Sequence, residues 1–173
     1  GSNPGSKLIG QIRSRLTDDI VSVYGSTETA GVFSKRVQDD DSELSLGVMR
    51  KDCSYKVADS SGNEVGIGET GELLLKSPFM FEGYLKDIIQ MQVSEQSEWF
   101  NTGDSVVRGN SSVEFVGRLS DVLNVGGVKL FASVIEEFSK SLPGITDAVS
   151  FAGEDKNGSP IHVLAICSDK SFE

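Results

Sequence analysis

A chain of 173 residues holds one ordinary domain or two small ones. Its net charge of −10 argues against a nucleic-acid groove and against adhesion to an anionic membrane surface. No apolar run approaches the roughly 18 residues of a membrane span, and Cys53 and Cys167 lie too far apart to suggest a disulfide framework or a zinc site, so a reducing cytoplasm is the expected setting. The opening GSNPGSK reads as a cloning scar or a cut end rather than a targeting segment.

Taken in chain order, Leu8, Ile9, Ile12 and Leu16 recur at helical spacing and predict a helix over 7–16 with one face on a core. Ile20 to Tyr24 is β-branched and aromatic, the composition of a short buried strand, and the pair suggests an α–β unit of a parallel sheet. Gly25, Ser26, Thr27, Glu28 and Thr29 then place hydroxyls and one carboxylate at that strand's end. Hydroxyls and loop N–H groups there can donate to phosphate oxygens, and Glu28 suits such a site if a hard cation lies between it and the anion. A polar turn capped by Ser26 or Thr27 fits the same residues equally well.

The acidic run Asp39 to Asp41 reads as a solvated loop. Strands are expected over 55–58 and 71–77 on either side of the turn Asp59 to Asn63, with Phe79, Phe81 and Tyr84 packing beneath the bend that follows. Glu72 reads as a structural or hydrogen-bonding carboxylate. A short polar helix is expected over 87–97, then a strand whose end carries Asn101, Thr102, Gly103 and Asp104. Asp104 is a candidate ribose ligand, since one carboxylate accepts from two hydroxyls, although an Asp capping the next turn is the alternative. Residues 106–108 and 113–116 read as a hairpin around a turn at 109–112, with Arg118, a fork of donors, just beyond it. A second hairpin-like unit is expected over 122–130 around Gly126 and Gly127. A helix should follow over 131–142, with Val134, Ile135, Phe138 and Leu142 on one side and Glu136 and Glu137 towards solvent. Two apolar segments, 145–152 and 161–167, complete the pattern as paired strands, with His162 an ordinary strand residue.

Four stretches in this order, YGSTETAG (24–31), GETGELLLKSPFMFEGYLKD (68–87), WFNTGD (99–104) and GRLSDVLNVGGVKLFASVIEE (117–137), resemble the later core motifs of the adenylate-forming superfamily. That superfamily includes acyl- and aryl-CoA synthetases, peptide-synthetase adenylation domains and luciferases. The resemblance implies a mixed α/β and α+β fold: residues 1–117 as the end of a large AMP-binding domain with a small β-barrel subdomain, a hinge at 118–121, and 122–173 as the start of a small cap domain. It implies a part of an ATP- and Mg²⁺-dependent ligase that activates a small carboxylic acid as its adenylate and passes the acyl group to coenzyme A. A peptide-synthetase adenylation domain, loading a carrier protein, and a non-catalytic nucleotide-binding relative are the alternatives.

By the same resemblance Thr27 would contact the α-phosphate and Glu28 would hold Mg²⁺. Tyr24 would lie against adenine beside Gly25 and Ser26, Asp104 and Arg118 would hold the ribose, Ala30, Gly31 and Val32 would face the acyl group, and Gly126 and Gly127 the thiol cofactor. Ser120 stands in the hinge where Asp or Lys is usual. The family's phosphate loop and its cap lysine have no counterpart in the sequence, Lys170 lying too early, so the isolated chain is expected to be close to inactive.

Overall fold

The computed structural model describes residues 6–38, 42, 44–83, 98–125, 128–157 and 160–168. The chain divides into two compact units, Gly1–Phe115 and Val116–Glu173. Among the described residues no helix is long and apolar enough to cross a membrane.

The first unit opens with helix α1 (Ser6–Arg15). Ile9 is its buried residue, whereas Leu8 and Leu16 are exposed. Strands β1 (Val21–Ser26), β2 (Ala30–Arg36) and β3 (Val48–Met49) form one antiparallel sheet in the order β1-β2-β3. This corrects the expectation of a buried parallel strand at 20–24. Alternation turns Ser22 and Tyr24 inward, while Val21 and Val23 face out at 54% and 63% exposure, so only one face of β1 is covered.

Strands β4 (Ser54–Ala58), β5 (Thr70–Lys76), β6 (Phe100–Arg108) and β7 (Val113–Arg118) make a second sheet in the order β4-β5-β6-β7. The expected β-barrel is not closed among the described residues. Short segments cover the outer edges instead: Val65 N–H donates to Val57 O beside β4, and Leu46 N–H donates to Val113 O beside β7. Asp59 organises the β4 turn by accepting from the N–H groups of Ser61 and Asn63. Its carboxyl is held below the usual carboxylate range, chiefly by the Asn63 N–H.

Val32, Phe33, Leu46, Cys53, Val57, Val65, Leu73, Leu75, Val106 and Val113 form a single buried cluster, so the two sheets share one core. Ring contacts extend it outward. Tyr24 meets Phe33 edge-on at 6.0 Å, and Phe33 meets Tyr55 at 5.5 Å.

In the second unit, which takes in the end of β7 from Val116, a 3₁₀ turn (Leu119–Asp121) precedes the hairpin of β8 (Val122–Val125) and β9 (Val128–Phe131). Gly117 lies against Phe131 so closely that a Cβ would sit 2.5 Å from the ring. Helix α2 (Ala132–Lys140) packs on β10 (Ile145–Glu154), which pairs with β11 (Pro160–Ser168). The helix does not bury the expected apolar side. Ala132 and Ser139 are its buried residues, Phe138 is 67% exposed, and Glu136 turns inward to accept from Ser150 N–H at 2.8 Å. One carboxylate that ends a strand's unpaired N–H thus sets the helix's rotation.

Candidate functional site

The turn of the β1–β2 hairpin, Thr27–Glu28–Thr29, carries the polar residues of YGSTETAG. The strands approach too closely for any residue but glycine at position 25, where a Cβ would lie 1.9 Å from Ala30 O. Ala30 itself takes the left-handed region at φ 57°. Inside the turn Thr29 is fully buried, and its hydroxyl accepts from Ser26 N–H at 3.2 Å. Ser26 Oγ in turn accepts from Glu28 N–H at 3.2 Å. Phe81 N–H donates to Glu28 O at 2.9 Å and ties the later FMFEG segment to the turn. With the inner polar groups bonded this way, Thr27 stays exposed at the tip and Glu28 half-exposed beside it.

Phe81 stacks edge-on against Phe100 at 6.0 Å, as packing beneath the bend requires. Phe79 departs from that expectation. It is 53% exposed, and the Arg50 guanidinium covers its ring at 4.6 Å from the centroid, a contact that suits a surface cation. Tyr84 and the helix expected at 87–97 lie outside the described residues.

Asp104 is not at a strand end. It lies within β6, in an enlarged bulge: Glu72 pairs with Ser105 and Leu74 with Asn101, so Thr102, Gly103 and Asp104 together oppose Leu73. Gly103 takes φ 70°, which lets the strand bend there. Thr102 Oγ1 donates to Leu73 O at 2.7 Å and accepts from Asp104 N–H at 3.0 Å. The bend drives the Asp104 side chain inward to 4% exposure, where its Oδ2 accepts from the hydroxyl of Tyr24, 80 residues earlier in sequence. Two of the sequence's candidates therefore meet side chain to side chain.

The other candidates fall elsewhere. Val32 is fully enclosed in the core, whereas Ala30 is exposed and Gly31 half-buried. Arg118, exposed, and Ser120, whose hydroxyl donates to Asp121 Oδ1 at 2.8 Å, belong to the second unit. Gly126 and Gly127 lie outside the described residues. Among the described residues no group of three or more His, Cys, Asp or Glu gathers as a metal site, so Glu28 offers a single carboxylate. A lone carboxylate flanked by a hydroxyl fits Mg²⁺, which takes one or two carboxylates and draws its other ligands from water and phosphate. Glu72 accepts hydrogen bonds and Phe81 packs against Phe100, as their sequence readings expect, whereas the buried Thr29 was not singled out from sequence. A third hydroxyl in the turn was the available signal for Thr29.

A family model described as AMP-binding enzyme matches residues 1–85. The 2-succinylbenzoate–CoA ligase of Enterococcus faecalis is 29% identical over 156 residues, 88% of this chain and 32% of that protein. The chain belongs to the adenylate-forming superfamily. A putative acyl–CoA ligase of Bacillus subtilis is 32% identical to this member of the superfamily over 149 residues, 83% of the chain and 30% of the relative. In fold it is similar to the O-succinylbenzoate coenzyme A synthetase of Bacillus subtilis, solved with ATP and magnesium, at TM-score 0.78 and 22% identity, covering 100% of this chain and 36% of that one. The chain thus spans about a third of the length of these relatives.

Proposed function

We propose that the protein carrying this chain is an ATP-dependent carboxylic acid:CoA ligase of the cytoplasm. The observation that carries the reading is the meeting of Tyr24 and Asp104 next to a hydroxyl-lined turn. In the reaction the acid's carboxylate oxygen attacks the α-phosphorus of ATP and expels pyrophosphate, leaving an acyl adenylate. The thiol of coenzyme A then attacks the acyl carbon and releases AMP. CoA ligases among the relatives favour that thiol over a carrier protein as acceptor.

The residues divide the work by position. Thr27, exposed at the turn's tip with Gly25 and Ser26 behind it, donates to the α-phosphate. Mg²⁺ held at Glu28 would neutralise phosphate charge, the main electrostatic demand of nucleotidyl transfer. Tyr24, steadied edge-on by Phe33, lies against adenine. Asp104 accepts from the ribose hydroxyls, which take over or share the oxygen that the Tyr24 hydroxyl occupies. By the family resemblance Arg118 is assigned to the ribose, Ala30 and Gly31 to the acyl group with Val32 as backing, and Gly126 and Gly127 to the thiol cofactor. Residues 1–117 are assigned to the large domain, 118–121 with Ser120 to the hinge, and 122–173 to the cap.

Calorimetry of the full-length protein with ATP and Mg²⁺ tests this. Asp104→Ala should weaken binding about tenfold or more, and Glu28→Gln should remove most of the Mg²⁺ dependence. Indifference to both changes would refute the assignment.

A further inference from the structure

The bulge that aims Asp104 is closed by a residue the reaction does not consume. Glu72 sits on β5 opposite the bulge, paired with Ser105. Its Oε1 accepts from the N–H of Gly103 at 3.2 Å, and its Oε2 accepts from the side-chain amide of Asn101 at 3.2 Å. One carboxylate therefore bridges the start of the bulge and its middle. The ladder alone would leave that N–H unmatched, because three residues of β6 face one of β5. Gly103 is also the residue with φ 70°, so the bond falls at the bend itself, one residue before Asp104.

Resting on the ribose reading of Asp104, we propose that Glu72 is a positioning residue: by holding the Gly103 N–H and the Asn101 amide it fixes the bulge that presents the Asp104 carboxylate to the ribose hydroxyls. Glu72 touches neither nucleotide nor acid. Its effect should fall chiefly on how well the site recognises the sugar, because the Ser26–Thr29 turn is built on another hairpin and Tyr24 is reached only through its bond to Asp104. A displaced bulge moves Asp104 by a distance that matters, since hydrogen bonds weaken steeply away from their preferred geometry.

The test compares AMP with 2′,3′-dideoxyadenosine 5′-monophosphate by calorimetry on the full-length protein, with Glu72→Ala, Glu72→Gln and Asp104→Ala, and follows thermal unfolding of each. Wild type should bind AMP about tenfold tighter than the dideoxy nucleotide, and Asp104→Ala should abolish the ratio. Glu72→Ala should lose most of the ratio with dideoxy affinity unchanged, and Glu72→Gln, which keeps one acceptor oxygen, should recover part of it. Should Glu72→Ala not fold, the Glu72→Gln variant carries the comparison, and a ratio equal to wild type there counts against the proposal. A Glu72→Ala protein that keeps the wild-type ratio, or that weakens both nucleotides equally, overturns the positioning role while the Asp104 reading stands. A wild type that does not distinguish the two nucleotides overturns both.

Discussion

The two compact units bury their apolar residues to different degrees. The first encloses ten residues in one cluster that ties two sheets together, and Tyr24, Glu72 and Asp104 are attached to it. Among the described residues of the second, Leu123, Ala132 and Ala148 are the enclosed apolar ones, and Phe138, Val149, Phe151, Leu164 and Ile166 are exposed. A two-stranded sheet with one helix across it has only one face to cover, whereas two sheets with a common core constrain each other. Tyr24 and Asp104, proposed to contact the nucleotide, are thus set into the unit with the larger core, whereas Arg118 and the residues assigned to hinge and cap belong to the other.

Core truncation should separate the units most. Leu73→Ala, at a fully buried site, should cost about 2–5 kcal/mol, while Phe138→Ala should stay within about 0.5 kcal/mol, as for exposed positions. Denaturant unfolding of the chain measures both, and equal costs would break the comparison. Tyr24→Phe should cost about 1–3 kcal/mol, because it deprives a carboxylate that is 4% exposed of a hydroxyl donor. A neutral Tyr24→Phe would mean that the bond to Asp104 does not hold the two sheets together.

The smallest effect belongs to the second unit. Asp147 lies 3.0 Å from Lys140, joining β10 to α2 at the surface. Its carboxyl is held below the usual range, first by the Lys140 hydrogen bond and then by the Ala148 N–H. A depressed carboxyl contributes stability that is present above its unfolded-state pKa and is lost as pH falls through the folded one. Unfolding midpoints should therefore drop slightly more steeply below the ordinary carboxylate range in wild type than in Asp147→Asn, and added salt should shrink the difference. Identical acid limbs would remove this pair from the balance.

Local punctuation made much of the fold legible. Asp59 to Asn63 and Gly109 to Ser112 were readable as turns because their residues bond or bend within a few positions. Partners were not readable. Ile20 to Tyr24 has the composition of a strand, and nothing in composition says that β2 returns antiparallel beside it or that Val21 and Val23 face outward. The α2 face was misjudged because apolar spacing favours Phe138, while the hydrogen bond from Ser150 to Glu136 decides the rotation. For the site, Tyr24 and Asp104 were visible as residue types. The bulge between them was not, since Gly103 in a strand marks only that some irregularity is near.

The most direct measurement is a crystal structure of the full-length protein with AMP bound. The expected result places both ribose hydroxyls within about 2.6–3.2 Å of the Asp104 carboxylate, with the Tyr24 ring against adenine and its hydroxyl displaced from Oδ2 or sharing it. A nucleotide bound away from the β1–β2 turn, with the Tyr24 bond to Asp104 undisturbed, would contradict it.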